Sequence, residues 1–417
     1  MGRFGAFSLA GARSAPTGTA VPLWMMLMAL TAVAAMSQAF RTVATVIAGG
    51  IKADFAASDQ DISLVAAAFH LAFALAQIPI GVALDIYGPR RTVSAAFLIA
   101  VLGALLSSLA PSLPLLMAGQ FLIGIGCAPA FLGTIVFITN RYPRDHFARL
   151  SGLVLALSGI GMLATGTPLA WIVEHGSWRL GVLALAACAA LVLVAVFRLV
   201  SDEAPQRRQE RETLRQAFGK IGPIFAQRHT LGILALGAAA YSAFISLRGL
   251  WAVPMLMDRH GFTLIESGHV MLAVSVATIL GPPLFGLLAV TDRMRRFWII
   301  GTAILYVLVF LALALSGQAI IDVSLAILAG ILTGFIVLQY ADVRAAYSDK
   351  VAGRALAVFT MAVFLGVALM QWLTGLAASL ATANSIDPLL TAFLVIAGLL
   401  ATATAGFAFL PWPRFKR

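Results

Sequence analysis

The chain has 417 residues, of which 61% are hydrophobic and 11% charged. A water-soluble domain carries about 25% charged residues, so the composition excludes that class and points to a polytopic membrane protein. The net charge of +11 raises nucleic acid as a partner, but its distribution excludes one, because the basic residues fall between apolar runs.

A membrane span needs about 20 apolar residues. Apolar runs begin near residues 22, 61, 92, 113, 148, 179, 230, 265, 297, 319, 353 and 386. Twelve runs predict an all-α protein with twelve transmembrane helices. With the N-terminus inside, the cytoplasmic side takes 23 of the 28 Lys and Arg residues. That positive-inside bias places both termini in the cytoplasm. Residues 1–21 form a cytoplasmic tail. A cleaved signal peptide is the competing reading of the N-terminus, and it fits less well because the apolar stretch continues to Ile51.

Between Val21 and Ile51 the only charge is Arg41, in SQAFRTVATV. An arginine at a helix centre costs roughly 2.5–3.5 kcal/mol on insertion scales unless water, a counter-charge or a ligand meets it. Gln38, three residues earlier, shares its face. Snorkelling to the outer interface is the alternative. The second run carries His70 and Gln77, seven residues apart. His70 is a possible proton site, weighed against a hydrogen-bonded packing residue.

Between the second and third runs stands GVALDIYGPRR, residues 81–91. Gly81 permits close helix approach. Asp85 accepts backbone N–H groups or pairs with an arginine. Gly88 permits a tight turn that Pro89 stiffens, and Arg90 and Arg91 anchor it at the anionic leaflet. Cys127 and Cys188 both lie in apolar runs, which gives no disulfide framework and no metal spacing. No cofactor is expected. The fifth run contains Gly159, Gly161, Gly166 and Pro168.

The polar interval SDEAPQRRQERETLRQAFGK divides six runs from six. It sets a bundle at 22–200, a cytoplasmic linker at 201–229, a second bundle at 230–411 and a tail at 412–417. The second half repeats the first. Aligning Asp85 with Asp292 of FGLLAVTDRMRR gives an offset of 207 residues, which also places Phe55 on Phe262, Asp59 on Glu266 and Arg41 on Arg248. Arg248 is the only charge between Thr230 and Met257, with Tyr241 seven residues before it and Trp251 three after. Gln339, Tyr340, Gln371 and Trp372 are further polar or aromatic pathway candidates, and Trp372 also suits a lipid-facing belt.

The pattern GxxxDxxGxRR, carried by Gly81, Asp85, Gly88, Arg90 and Arg91, resembles the signature loop of the major facilitator superfamily of transporters. The resemblance implies two pseudo-symmetric six-helix bundles and a loop acting as a latch between them, with Asp292 in a degenerate second copy. Two departures stand out. Gly286 lies six residues before Asp292 rather than four, and Gln120 stands where the fourth span usually has arginine. The fifth run also lacks the Gly-Pro pairing of proton-driven drug exporters.

Carriers of this family bind substrate at the midplane on the repeat interface. Spans one and seven then present Arg41 and Arg248 on opposite walls, with no carboxylate at comparable depth. An anion relieves their mutual repulsion and desolvation. The pair resembles that of the organophosphate:phosphate antiporters. The expectation is a secondary transporter of a small organic anion, a carboxylate or phosphate ester, working by alternating access as a monomer in the bacterial inner membrane. Arg41, Arg248, Gln38, Tyr241, Trp251 and Gln371 would contact the anion, and a proton or other ion would be a coupling partner. Drug/proton antiport and neutral-solute symport are the alternatives. An enzyme is not expected, since the spans hold no paired carboxylates and no Cys/His set.

Overall fold

The computed structural model describes residues 21–143, 146–201, 228–287, 292–347 and 349–410. The side chains of Asp85 and Asp292 lie outside the description, and so do almost all of the two tails and the linker. Among the described residues, twelve helices are long and apolar enough to cross a membrane. The first six are Leu23–Thr42, Asp59–Leu84, Ile86–Ser108, Leu113–Arg141, Leu150–His175 and Trp178–Leu199. The second six are Thr230–Arg259, Leu264–Gly286, Met294–Leu315, Ala319–Ala346, Val358–Ala383 and Pro388–Phe409. An even count puts both ends of the chain on one face, the terminal face. The opposite face is the distal face.

Spans two and three form one helical stretch, Asp59–Ser108, broken only at Gly88, where φ is 80° and ψ 169°. Residues with a Cβ avoid that conformation, so the glycine of the signature loop is where the chain reverses. Thr92 Oγ1 donates to the Ala83 carbonyl at 3.0 Å across the bend.

Each bundle opens its second helix with the same device. Ser58 and Asp61 form a capping box at the start of span two, and Thr263 and Glu266 form one at the start of span eight. These boxes correct the repeat alignment. Glu266 corresponds to Asp61 rather than to Asp59, which instead pairs with Lys52 at 2.5 Å. The offset is therefore 207 at the arginines and 205 at the caps. The segment joining spans one and two is two residues longer than its counterpart.

Both arginine-bearing spans are interrupted. Span one ends at Thr42, and a second helix, Ala44–Phe55, carries it on toward the distal face. Span seven winds as π-helix over Leu247–Trp251 and again over Met255–Arg259. Such departures from regular winding cluster at functional sites and free backbone groups for other partners.

The bundles meet along three lines. Span two packs on span eleven, span five on span eight, and the outer part of span one on span seven. Gly375 of span eleven sits so close to Ser63 of span two that a Cβ there would collide with it. The backbone N–H of Gln60 donates to Ser379 Oγ at 2.9 Å, and that of Ile265 donates to the Glu174 carboxylate at 3.0 Å. Thr45 Oγ1 lies 3.5 Å from the Leu250 carbonyl and accepts from Val253 N at 3.4 Å. The distal face is closed by these contacts. At the terminal face, Arg295 donates to Asp342 at 3.2 Å. Arg296 holds the carbonyls of Phe407 and Leu410 at the end of span twelve, where a helix dipole favours a cation.

Candidate functional site

Arg41 and Arg248 are both buried, at 8% and 0% exposure. Neither is at an interface with solvent, so snorkelling does not account for them. Their backbones are neighbours, because a Cβ built on Gly249 would lie 3.3 Å from the Arg41 carbonyl. Their side chains leave this seam in opposite directions.

Arg41 turns toward spans two and eleven. Its Nη1 donates to Gln38 Oε1 at 3.0 Å, as the shared helix face implied, and to Tyr241 Oη at 2.9 Å, although Tyr241 was expected beside Arg248. Its guanidinium carbon lies 5.1 Å from the Phe73 ring and 4.6 Å from the Phe364 ring. Those rings are 4.3 Å apart, so they form one aromatic surface beneath the cation rather than a sandwich. Desolvated contacts of this kind contribute up to about 2 kcal/mol. Among the described residues nothing accepts from Nε or Nη2. That edge is the one with which arginine holds a carboxylate or phosphate bidentately.

Arg248 turns toward spans five and eight. Its Nη2 donates to the Met162 carbonyl at 3.1 Å, Thr165 Oγ1 at 3.3 Å and Ser275 Oγ at 3.3 Å. Its Nε reaches Ser275 Oγ at 3.4 Å. The Met162 carbonyl is available because span five stops being helical at Thr165 and Gly166, where the Gly166 N–H bonds Leu163 instead. A carbonyl at a helix C-terminus suits a cation. Only Nη1 is left without a partner. A hydroxyl pair, Thr42 with Thr165 at 2.7 Å, links the two arginine environments.

Among the described residues neither arginine makes an ion pair. Two cations in a low-dielectric interior are met by neutral dipoles alone, an arrangement that a negative ligand stabilises.

The other expected residues scatter. Trp251 donates to Thr374 Oγ1 at 3.0 Å and ties span seven to span eleven. His70 Nδ1 lies 3.1 Å from the Ala66 carbonyl within its own helix. Its Nε2 is without a hydrogen-bond partner. Gln371 and Gln339 are fully buried, and both amide atoms of each lack a partner. Gln77 donates to the Ala128 carbonyl at 3.4 Å, Gln120 to Ser107 at 3.3 Å, and Tyr340 shares a bond of 3.1 Å with Thr360. Gly81 has open space with Leu132 at its edge, so close helix approach is not its role here. Arg90 donates to the Phe197 carbonyl at 2.9 Å. The latch roles expected of Asp85 and Asp292 fall on side chains outside the described residues. Phe73, Phe364, Met162, Thr165 and Ser275 were absent from the expectation. The TGTP stretch of span five was a visible signal for Met162 and Thr165 alone.

The sequence profile of the Major Facilitator Superfamily matches residues 27–371. The chain belongs to this superfamily. Its twelve apolar helices and this membership mark it as a multi-pass membrane protein. The nitrite extrusion protein of Bacillus subtilis is 26% identical over 269 residues, 64% of this chain and 63% of that protein. Monocarboxylate transporter 13 of Bos taurus is 35% identical over 121 residues, 28% of each chain. The efflux pump hmp6 of Hypomyces subiculosus is 25% identical over 31% of this chain and 23% of its own length. The chain thus spans less than two thirds of each of these relatives. Among solved structures, a bacterial homolog of the human lysosomal transporter Spinster, inward-facing and unoccupied, superposes with a TM-score of 0.72 at 19% identity. It covers 94% of this chain and 96% of its own. The xylose transporter XylE from E. coli, partially occluded and inward open, gives 0.69 at 12% identity, with 95% and 99% covered. At these identities the likeness is one of fold.

Proposed function

We propose that the protein moves a small organic anion, a carboxylate or phosphate ester, across the bacterial inner membrane with Arg41 and Arg248 as its cationic groups. Both termini and the terminal face are cytoplasmic in this reading, and the protein works as a monomer. The observation that carries it is the pair of buried guanidiniums, placed alike in the two repeats, unpaired with any described carboxylate and each retaining an unpartnered N–H. Two of the matching relatives are named for small anions, nitrite and monocarboxylates, which supports the same class. The free Nε/Nη2 edge of Arg41 is the primary anchor. Arg248 adds charge and one further donor. His70 is the candidate for a coupled proton.

A second reading, transport of a neutral solute or drug with proton coupling, draws on the fully buried, unpartnered amides of Gln339 and Gln371. The test is uptake into proteoliposomes, screened with monocarboxylates, dicarboxylates, phosphate esters and neutral sugars. Arg41→Gln and Arg248→Gln should each abolish uptake of the anion that wild type carries, while both variants stay folded and inserted. Full transport by either, or stabilisation of wild type by neutral compounds alone, overturns the anion reading.

A further inference from the structure

A groove on the outside of the first bundle is independent of the arginine site. It lies between the terminal-face ends of spans three and six and has a volume of about 740 Å³. Arg91 and Arg198 stand at its mouth, and Leu98, Val194 and Phe197 line its wall. The wall residues are exposed, at 47%, 54% and 58%, on helices that cross a bilayer, so they meet acyl chains. Leu98 lies about 12 Å along span three from Arg90 at 1.5 Å per residue. The groove therefore runs from headgroup level into the hydrocarbon. Arg90 forms its floor, with its guanidinium 5.2 Å from the centre of the Phe197 ring and bonded to the Phe197 carbonyl. Arg91 and Arg198 are exposed at the rim.

We propose that this groove binds one acidic glycerophospholipid. Its phosphodiester sits on Arg91 and Arg198, and an acyl chain lies along Leu98, Val194 and Phe197. Basic pockets between membrane helices on the cytoplasmic side hold anionic headgroups by this combination of charge and apolar wall. A neutral lipid fills the wall but offers no net charge to the mouth, and a free phosphate fits the mouth but leaves the wall empty. Arg90 and Arg91 directly follow the Gly88 bend, so the bound lipid braces the turn between spans two and three.

The test is native mass spectrometry of the full chain in neutral detergent, titrated with dioleoylphosphatidylglycerol, with dioleoylphosphatidylcholine and with glycerol phosphate. One phosphatidylglycerol should be retained per chain, in preference to phosphatidylcholine, and glycerol phosphate should not displace it. Arg91→Gln and Arg198→Gln should each weaken retention about fivefold, the effect of one charge at an anionic surface. Ala95→Trp, which fills the groove and leaves all charges in place, should abolish retention. Arg344→Gln, on the terminal face of the other bundle, should leave it unchanged. Melting curves in lipid-free detergent check that each variant is folded. Equal retention of phosphatidylcholine, wild-type retention by Ala95→Trp, or an equal loss in Arg344→Gln assigns binding to diffuse surface charge and overturns the proposal. Displacement by glycerol phosphate overturns it in favour of a soluble phosphate site.

Discussion

Arg41 and Arg248 occupy equivalent places in the two repeats, yet their surroundings differ in chemistry. Each points from its own first helix toward the second helix of its own bundle and the fifth helix of the other. Around Arg41 those helices supply two phenyl rings. Around Arg248 they supply a backbone carbonyl and two hydroxyls. Aromatic faces attract a cation without occupying its N–H groups, whereas oxygen acceptors consume them. The same fold position thus yields a guanidinium whose Nε/Nη2 edge is free in one half and taken up by oxygen acceptors in the other. Symmetry of the backbone does not carry over to the ligand chemistry.

The sharpest way to break this comparison is a lysine scan at both positions. Arg41→Lys removes the planar fork and should cut anion uptake by at least tenfold, because a point charge does not reproduce a bidentate edge. Arg248→Lys keeps three donors for the same neutral acceptors and should retain most of the rate. Equal losses in initial-rate assays would show that the two sites work alike. A smaller effect is expected on stability. Thr165→Val removes one acceptor from a fully buried cation, and hydrogen bonds to charged groups contribute about 1.5–3 kcal/mol. Its melting temperature in detergent should fall, while Thr402→Val, exposed on span twelve and bonded only within its own helix, should change little. The smallest effect belongs to Phe364→Leu. It keeps an apolar surface beneath Arg41 and loses the ring quadrupole, about 0.5–2 kcal/mol. That should appear as a rise in KM of several-fold with little change in the maximal rate.

Much of this was legible in the residues. Span count followed from hydropathy, and the reversal at Gly88 followed from its place in the loop. Arg41 and Arg248 stood out because a charge inside an apolar run is costly, and that cost is visible without coordinates. Gln38 was found from helical spacing, while the same counting put Tyr241 beside Arg248 and the fold brings it across to Arg41. Phe73 and Phe364 were not, since in a membrane span a phenylalanine beneath a cation has the same composition signal as one facing lipid. The Met162 carbonyl had no signal of its own, because a backbone acceptor shows only once the helix around it opens. The Thr374 contact of Trp251 does not follow from counting along a regular helix. The π-helical winding of Leu247–Trp251 rotates it away from the 3.6-residue expectation, onto Thr374. The two-residue slip between arginines and caps has a different origin, a connection length that a single alignment offset cannot represent.

The bonds that close the distal face have a consequence for the cost of opening it. Gln60 N to Ser379 and Ile265 N to Glu174 are made at helix starts, at the rim of the molecule. When the bundles part, water takes the place of each partner, and the net loss per bond is only about 0.5–1.5 kcal/mol. Arg248 has no such substitute at the midplane until the seam between spans five and eight admits solvent. Opening the rim therefore costs little, whereas opening the seam between spans five and eight strips acceptors from a buried cation, at about 1.5–3 kcal/mol for each hydrogen bond lost.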